Sequence, residues 1–376
     1  MRVLLVRLRL LGDVVFTTPL VRALRRAFPA AHLSYIVEEA AAPVLRGNPH
    51  LDELIVTPKR SGPARLRDDL ALGTRLRRDR FDVAIDLHGG PRSAWLTWAS
   101  RAPMRIGYTI PGRTWMYTHV VPRAADLTPR HSVVNQWDLL RPLGIGGCDP
   151  ATDPVEMPDD DAAAARVDRR LRELGFRDHH RLVVMHVSAG NPFRRWPAES
   201  FVTLCAELLR RDPDRWIVLT SGPSDRDAAR SIAAGARARL GAAPGTIVHP
   251  EFDIAELRAV AARAAVYIGG DSGPLHVAAT TQAPVVALLG PTLPERSHPW
   301  RDPRWFAETV DAGPLPCRPC HQRRCAPGDF RCLTAITPAR VLAAAERALR
   351  GQPLDTRCDV PWVNADDDTR RHCTNR

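Results

Sequence analysis

Between Val266 and Thr292 the chain reads as strand, tight loop, helix, strand and loop, and this succession constrains the fold more than any other stretch. The strand-like Ala265-Val266-Tyr267-Ile268 stops at Gly269-Gly270, and Asp271-Ser272-Gly273-Pro274 leads into the apolar, helix-like run from Leu275 to Thr280. The first N–H groups of a helix lack partners and carry partial positive charge, so such a loop suits an anion. Ser272 is placed to cap the helix, Gly273 lets the backbone approach closely, and Pro274 stands where no N–H is needed. A plain capped turn uses the same residues, and this loop alone does not separate the two readings.

The same alternation runs along the chain. Val3 to Val6 is a first strand, Leu10-Leu11-Gly12-Asp13 follows as a loop, and Leu20, Val21, Leu24 and Phe28 fall at helical spacing before Pro29. Asp13 therefore stands just past the carboxyl end of the first strand, as a candidate general base or as a helix cap. Further strands at Leu33 to Val37, Leu54 to Thr57 and within Arg80 to Leu87, the last running into His88-Gly89-Gly90, predict an α/β class with a doubly wound, mostly parallel sheet. Lys59-Arg60-Ser61-Gly62-Pro63-Ala64-Arg65 reads as a basic, turn-rich loop able to meet an acidic acceptor. Arg92-Ser93 and Arg105 to Tyr108 are further polar points on this half.

Gly144 to Asp161, rich in Pro, Gly and Asp, is the expected linker, so residues 1–155 form one unit and residues 162–337 a second. In the second unit, the strand at Leu182 to Val187 runs into Ser188-Ala189-Gly190, where Ser188 can meet phosphate oxygens and Arg194 or Arg195 can neutralise them in bidentate fashion. After the strand at Trp216 to Thr220, Asp225 is placed to accept ribose hydroxyls. Three strand-terminal loops of this chemistry in one half point together to an anionic ligand.

The 376 residues are 44% apolar, enough for two cores. Lys and Arg number 53 against 42 acidic residues, a formal charge of +11. That balance fits a nucleotide, nucleic acid or acidic lipid, and equally an arginine-rich solvated surface. Arginines at positions 2, 7 and 9 interrupt any secretory-signal core, and no apolar run reaches membrane-spanning length, so a cytoplasmic protein is expected. Eight cysteines in so long a chain do not suggest a secreted disulfide scaffold. Cys317, Cys320, Cys325 and Cys332 could bind zinc, with His321 as a spare ligand, but paired CxxC units are missing, so a structural or free-thiol role is preferred and no metal is assigned. Asp-x-Asp strings at 159–161 and 366–368 lie in linker and tail; the one at 225–227 follows a strand and stays open as a metal motif.

The whole set resembles glycosyltransferase family 9, the bacterial heptosyltransferases. The resemblance runs to about residue 350. It is carried by Gly12-Asp13 after the VLLVRL strand, Asp86-Leu87-His88-Gly89 with Arg92-Ser93, Arg105-Ile106-Gly107, His186-Val187-Ser188, Arg195-Trp196-Pro197, Gly222-Pro223, Asp271-Ser272-Gly273-Pro274-Leu275-His276 and Gly290-Pro291-Thr292. The resemblance implies a GT-B fold of two Rossmann-like units facing a cleft. It implies a helix over 338–350 crossing back to the first unit; the polar remainder, 351–376, is expected to be a disordered tail on its composition. The resemblance also implies an enzyme that adds heptose from ADP-heptose to the lipopolysaccharide core without a metal or other cofactor. Asp13 is then the catalytic base. Asp271 holds heptose hydroxyls, Ser188, Ser272 and Gly273 meet the diphosphate with Arg194 or Arg195, Asp225 meets the ribose, and His276 is a rival base more suited to packing. Lys59, Arg60 and Arg92 face the acceptor, and the protein works peripherally at the cytoplasmic face of the inner membrane, with no nucleic acid as partner. The first loop looks most like that of members adding a branch heptose. The alternatives are a GT-B transferase with another nucleotide-sugar donor or glycan acceptor, and a non-catalytic nucleotide- or nucleic-acid-binding regulator.

Overall fold

The computed structural model describes residues 1–125, 127–241 and 247–351. The expected disordered tail from residue 352 onward, with Cys358, Cys373 and the Asp-x-Asp string at 366–368, lies outside the described residues.

Two six-stranded sheets, parallel throughout, are built from these residues. The first holds β1 (Arg2–Val6), β2 (His32–Glu38), β3 (Glu53–Thr57), β4 (Val83–Asp86), β5 (Met104–Tyr108) and β6 (His119–Val121) in the order β3-β2-β1-β4-β5-β6. The second holds β7 (Arg181–His186), β8 (Arg215–Thr220), β9 (Ile247–Val248), β10 (Val266–Gly270), β11 (Val285–Leu289) and β12 (Ala307–Asp311) in the order β12-β11-β10-β7-β8-β9. Parallel strands need crossovers and are covered on both faces, which is why the inner strands read as unbroken apolar runs. In each sheet the order reverses once, between β1 and β4 and between β10 and β7, and open α/β sheets bind ligands at such a reversal.

Helices α1 (Leu11–Val15), α2 (Thr18–Ala27), α3 (Gly62–Arg78), α4 (Pro91–Ala99) and α5 (Ser132–Trp137) belong to the first half. The second carries α6 (Asp161–Glu173), α7 (Ala198–Arg211), α8 (Arg226–Leu240), α9 (Ile254–Ala262), α10 (Gly273–Ala278), α11 (Pro294–Ser297), α12 (Arg331–Thr334) and α13 (Pro338–Leu349).

Several expectations change. The basic loop is short, because α3 already begins at Gly62 and its Pro63 starts the helix rather than a turn. Arg105 to Tyr108, read as a polar point, belongs to strand β5, and Gly107 is needed there because a Cβ would lie 2.4 Å from the Tyr117 ring. Asp13 sits in the first turn of α1 and does not cap it. The linker is pinned to the first half, with Val155 and Met157 in its core, Asp153 paired to Arg26 and Glu156 to Arg22.

The 338–350 helix does not cross back. α13 buries Val341, Leu342, Ala344, Ala345 and Ala348 in the core of the second sheet, and Arg215 and Arg347 tie it there through Glu346 and Glu308. Its apolar stripe fits the nearest uncovered sheet face. The halves are joined instead where α1 packs on α10 and by Trp300, which enters the first core and donates Nε1–H to the Asp153 carbonyl at 2.7 Å.

Candidate active site

β10 and β7 end side by side, and their loops hold the second half's polar groups. Asp271, directly after β10, is buried. Ser297 Oγ donates to its Oδ1 at 2.7 Å, Arg194 Nη1 lies 3.0 Å from Oδ2, and His276 Nε2 stands 3.6 Å from Oδ1. Burial alone would raise this carboxyl, but His276, the Arg194 charge and the Ser297 hydroxyl overturn that and hold it well below the ordinary carboxylate range. Asp271 is thus a fixed anion. Arg194 is held in turn, its Nε donating to Gln322 Oε1 at 2.6 Å while Gln322 also accepts from Asn191 at 3.1 Å.

The second arginine serves the neighbouring loop. Arg195 Nη1 lies 3.0 Å from Asp225 Oδ1, and Ser188 donates to Oδ2 of the same carboxylate. The two arginines therefore divide the work, Arg194 facing the β10 loop and Arg195 the loops after β7 and β8. Ser272 stands at the N-cap of α10 but does not cap it, its hydroxyl donating instead to the Gly270 carbonyl at 3.2 Å. With only six residues, α10 carries a short dipole, so arginine charge outweighs it in neutralising an anion here.

In the first half, Asp13 keeps a third of its side chain exposed and meets Arg7 Nη2 through Oδ2 at 2.5 Å. Arg7 is itself buried and donates Nε to the Arg9 carbonyl at 3.1 Å and Nη1 to the Leu87 carbonyl at 2.5 Å. One carboxylate oxygen is so fixed, and Oδ1 has no protein partner among the described residues. His88 lies within electrostatic reach of Asp13, Arg7, Arg9 and Arg123; burial, then the charges of Arg7 and Arg9, lower it to about 4, so it is neutral near pH 7. Asp86 shapes this loop, accepting from the backbone of His88 and Gly89 at 2.9 and 2.8 Å and from Tyr117 Oη at 2.7 Å.

Of the expected acceptor residues, Lys59 is exposed and Arg60 lies 3.2 Å from Asp68. Arg92 is committed to the scaffold, with Glu38 at 2.9 Å and Asp69 at 2.8 Å.

The two loops meet where α1 packs on α10. A Cβ on Gly12 would come within 2.8 Å of the His276 ring, and one on Gly273 within 2.8 Å of Leu11 Cβ. Gly273 is thus required by the opposite half. His276 is buried against Phe16, ring centroids 4.2 Å apart, which makes it a packing residue between the halves rather than a base open to substrate. His131 continues the column, 5.3 Å from Phe16 and 4.6 Å from Trp300.

Residues 70–329 match glycosyltransferase family 9 (heptosyltransferase). The chain belongs to that family. It is 30% identical over 300 residues to lipopolysaccharide heptosyltransferase 3 of Escherichia coli K12, covering 77% of this chain and 83% of that one. Among solved structures, a family 9 glycosyl transferase from Veillonella parvula superposes with a TM-score of 0.77 at 24% identity, over 93% of this chain and 97% of the other. The E. coli ADP-heptose lipopolysaccharide heptosyltransferase II does so with a TM-score of 0.71 at 20% identity, over 93% and 99%. The fold is therefore GT-B, and this family 9 member is a glycosyl-transferring enzyme.

Two other features of this transferase carry metal-type spacing in the sequence. Asp225 is buried against Arg195 and Ser188, whereas Asp227 is exposed beside Arg230, so that Asp-x-Asp string does not converge. Cys317, Cys320, Cys325 and Cys332 are free thiols lining one pocket with Phe193 and Phe330, and among the described residues no three His, Cys, Asp or Glu side chains are grouped to hold a metal. The segment contributes Gln322, and Arg318 pairs with Asp311 and donates to the Thr292 carbonyl at 2.7 Å.

Proposed function

We propose that this family 9 transferase moves heptose from ADP-heptose to a sugar of the lipopolysaccharide inner core, with inversion and without a required metal. The placement of Asp13, with one oxygen unpartnered, across the glycine contact from the Asp271–Arg194 pair is the observation that carries the reading. The names of its relatives supply the donor and acceptor.

On this reading Asp13 Oδ1 takes the proton of the acceptor hydroxyl, and the oxygen forms a bond to the anomeric carbon. The bond from that carbon to the diphosphate breaks, its electron pair leaving with ADP. Arg194 and Arg195 supply positive charge to the departing phosphates, Ser188, Ser272 and Gly273 border them, Asp271 receives heptose hydroxyls, and Asp225 receives the ribose. Because the carboxylate and the pairs are fixed beforehand, positioning supplies much of the rate. The acceptor is lipid-anchored, so the enzyme works peripherally at the cytoplasmic membrane face.

The test combines the purified protein with ADP-heptose and a panel of truncated cores in EDTA, with donor binding read separately by calorimetry. Product in EDTA is expected. Donor binding without product on any core would overturn the acceptor, absence of donor binding would overturn the donor, and product only after a divalent metal is restored would overturn metal independence.

A further inference from the structure

Among the described residues no helix is long and apolar enough to cross a membrane. Leu10, Met1, Val56 and Val120 aside, the large apolar side chains exposed in the first half lie on α3, α4 and the short turn before β6: Leu66 is 62% exposed, Leu70 53%, Trp115 64% and Trp98 37%. α3 and α4 pack against each other. Gly73 of α3 packs beneath Trp95 of α4, and the rings of Trp98 and Trp115 meet at 5.9 Å.

The charge exposed on this layer is predominantly basic. Along α3, Arg65, Arg67, Arg75, Arg77 and Arg78 are exposed; Arg65, Arg67 and Arg75 lie beside Asp69, Asp68 and Glu53, whereas Arg77 and Arg78 have no ionic partner among the described residues, and of the helix's own carboxylates Asp69 is buried and Asp68 partly exposed. Leu66, Leu70 and Arg77 fall within about 40° of one another on a helical wheel of 3.6 residues per turn. Richness in arginine does not by itself produce this. α6 is equally arginine-rich, yet it exposes Asp161 and Glu173 among its arginines.

Leucine and tryptophan among predominantly basic exposed charge form the pattern of a surface that settles into the interface of an anionic bilayer. α3 follows β3, so its leucine-bearing end lies at the carboxyl edge of the sheet that also carries Asp13. We propose that the outer face of α3 with Trp98 and Trp115 is the docking surface for anionic phospholipid. This rests on the lipid-anchored acceptor proposed above only for its purpose, not for its physics. Docking there sets the Asp13 edge against the membrane in which such an acceptor is held.

The experiment is co-sedimentation of the full chain with vesicles of phosphatidylcholine alone and with about one third phosphatidylglycerol. Binding is expected only with the anionic lipid and is expected to weaken with salt. The double variant Leu66→Ser/Leu70→Ser should lose about tenfold or more in vesicle affinity, Arg67→Glu/Arg77→Glu should lose the salt-sensitive part, and Arg169→Glu/Arg172→Glu on α6 should change neither. Quenching by brominated lipid should fall in Trp115→Phe. Equal binding by all variants, or no binding to anionic vesicles, overturns the proposal, as does a self-association or affinity for RNA that the leucine variant abolishes while vesicle binding persists. Calorimetry with ADP-heptose and turnover on a detergent-free, water-soluble acceptor separate this from the catalytic reading: both should be unchanged in the leucine variant, while turnover on vesicle-held acceptor falls.

Discussion

The two sides of the cleft treat charge in opposite ways. Around Asp271 the charges are closed on themselves, with Arg194, Ser297, Gln322, Arg195, Asp225 and Ser188 paired within a largely buried network. Around Asp13 only Arg7 is committed, and Arg9 and Arg123 have no ionic partner among the described residues. Dipoles and charges fixed in advance cost no rearrangement when a ligand arrives, which suits a donor of constant chemistry. Cations outside any ion pair near a partly exposed carboxylate suit a larger anionic acceptor, drawn in by the field and placed by contacts at its margins.

The sharpest way to break this comparison is Asp13→Asn, which removes the base and leaves the opposite network untouched. Turnover should fall about a thousandfold with ADP-heptose affinity kept; a loss of donor binding would show that the sides are not separable. Arg194→Ala should act in reverse. With Asp271 left buried against fewer partners, donor affinity should fall about a hundredfold in calorimetry and thermal stability should drop as well, and lysine should rescue little because one ammonium cannot serve Asp271, Gln322 and a phosphate together. Gly273→Ala tests whether the sides must touch. A methyl 2.8 Å from Leu11 Cβ should cost about 1–3 kcal/mol in unfolding, together with some activity, and an unchanged melting curve would show that the contact yields freely. Gln322→Leu should raise the donor KM several-fold at nearly constant kcat, since it frees Arg194 without removing it.

The smallest effect per group concerns pH. Burial lowers His131 and His298 to about 3 and His186 to about 4, so these rings stay neutral when folded and take up protons near 6.5 once unfolded. Stability should be intact above about pH 6.5 and fall as pH drops towards 4, and a flat melting temperature across that window would contradict it. Asp271, held low, enters only at more acid pH, where protonating it removes the stability that its charged form contributes.

The fold was legible because parallel strands need apolar runs and end in glycine and polar residues, a pattern repeated at Val3, Val83, Val183 and Val266. Site residues that sit at strand ends were legible for the same reason. Arg7 was not, since an arginine in VLLVRL reads as an interruption, although a cation at the end of a buried strand is a signal in itself. Gln322 was hidden inside a cysteine-rich string that drew attention to metals, and Ser297 and Arg123 lie in segments without a motif. α3 was lost because Gly-Pro marks turns as well as helix starts, and the destination of α13 was lost because an apolar stripe does not state which sheet it will cover.

The meeting of Gly12 and Gly273 with the opposite half also sets how such an enzyme can diversify. The two glycines act as a gauge whose tolerance is smaller than one methyl group. A lineage that changed its acceptor could not widen the cleft from this end by single substitutions, because each would force the halves apart before any new contact formed. Changes in substrate contacts are accommodated more easily among the exposed Lys59, Arg9 and Arg123 than at the glycines.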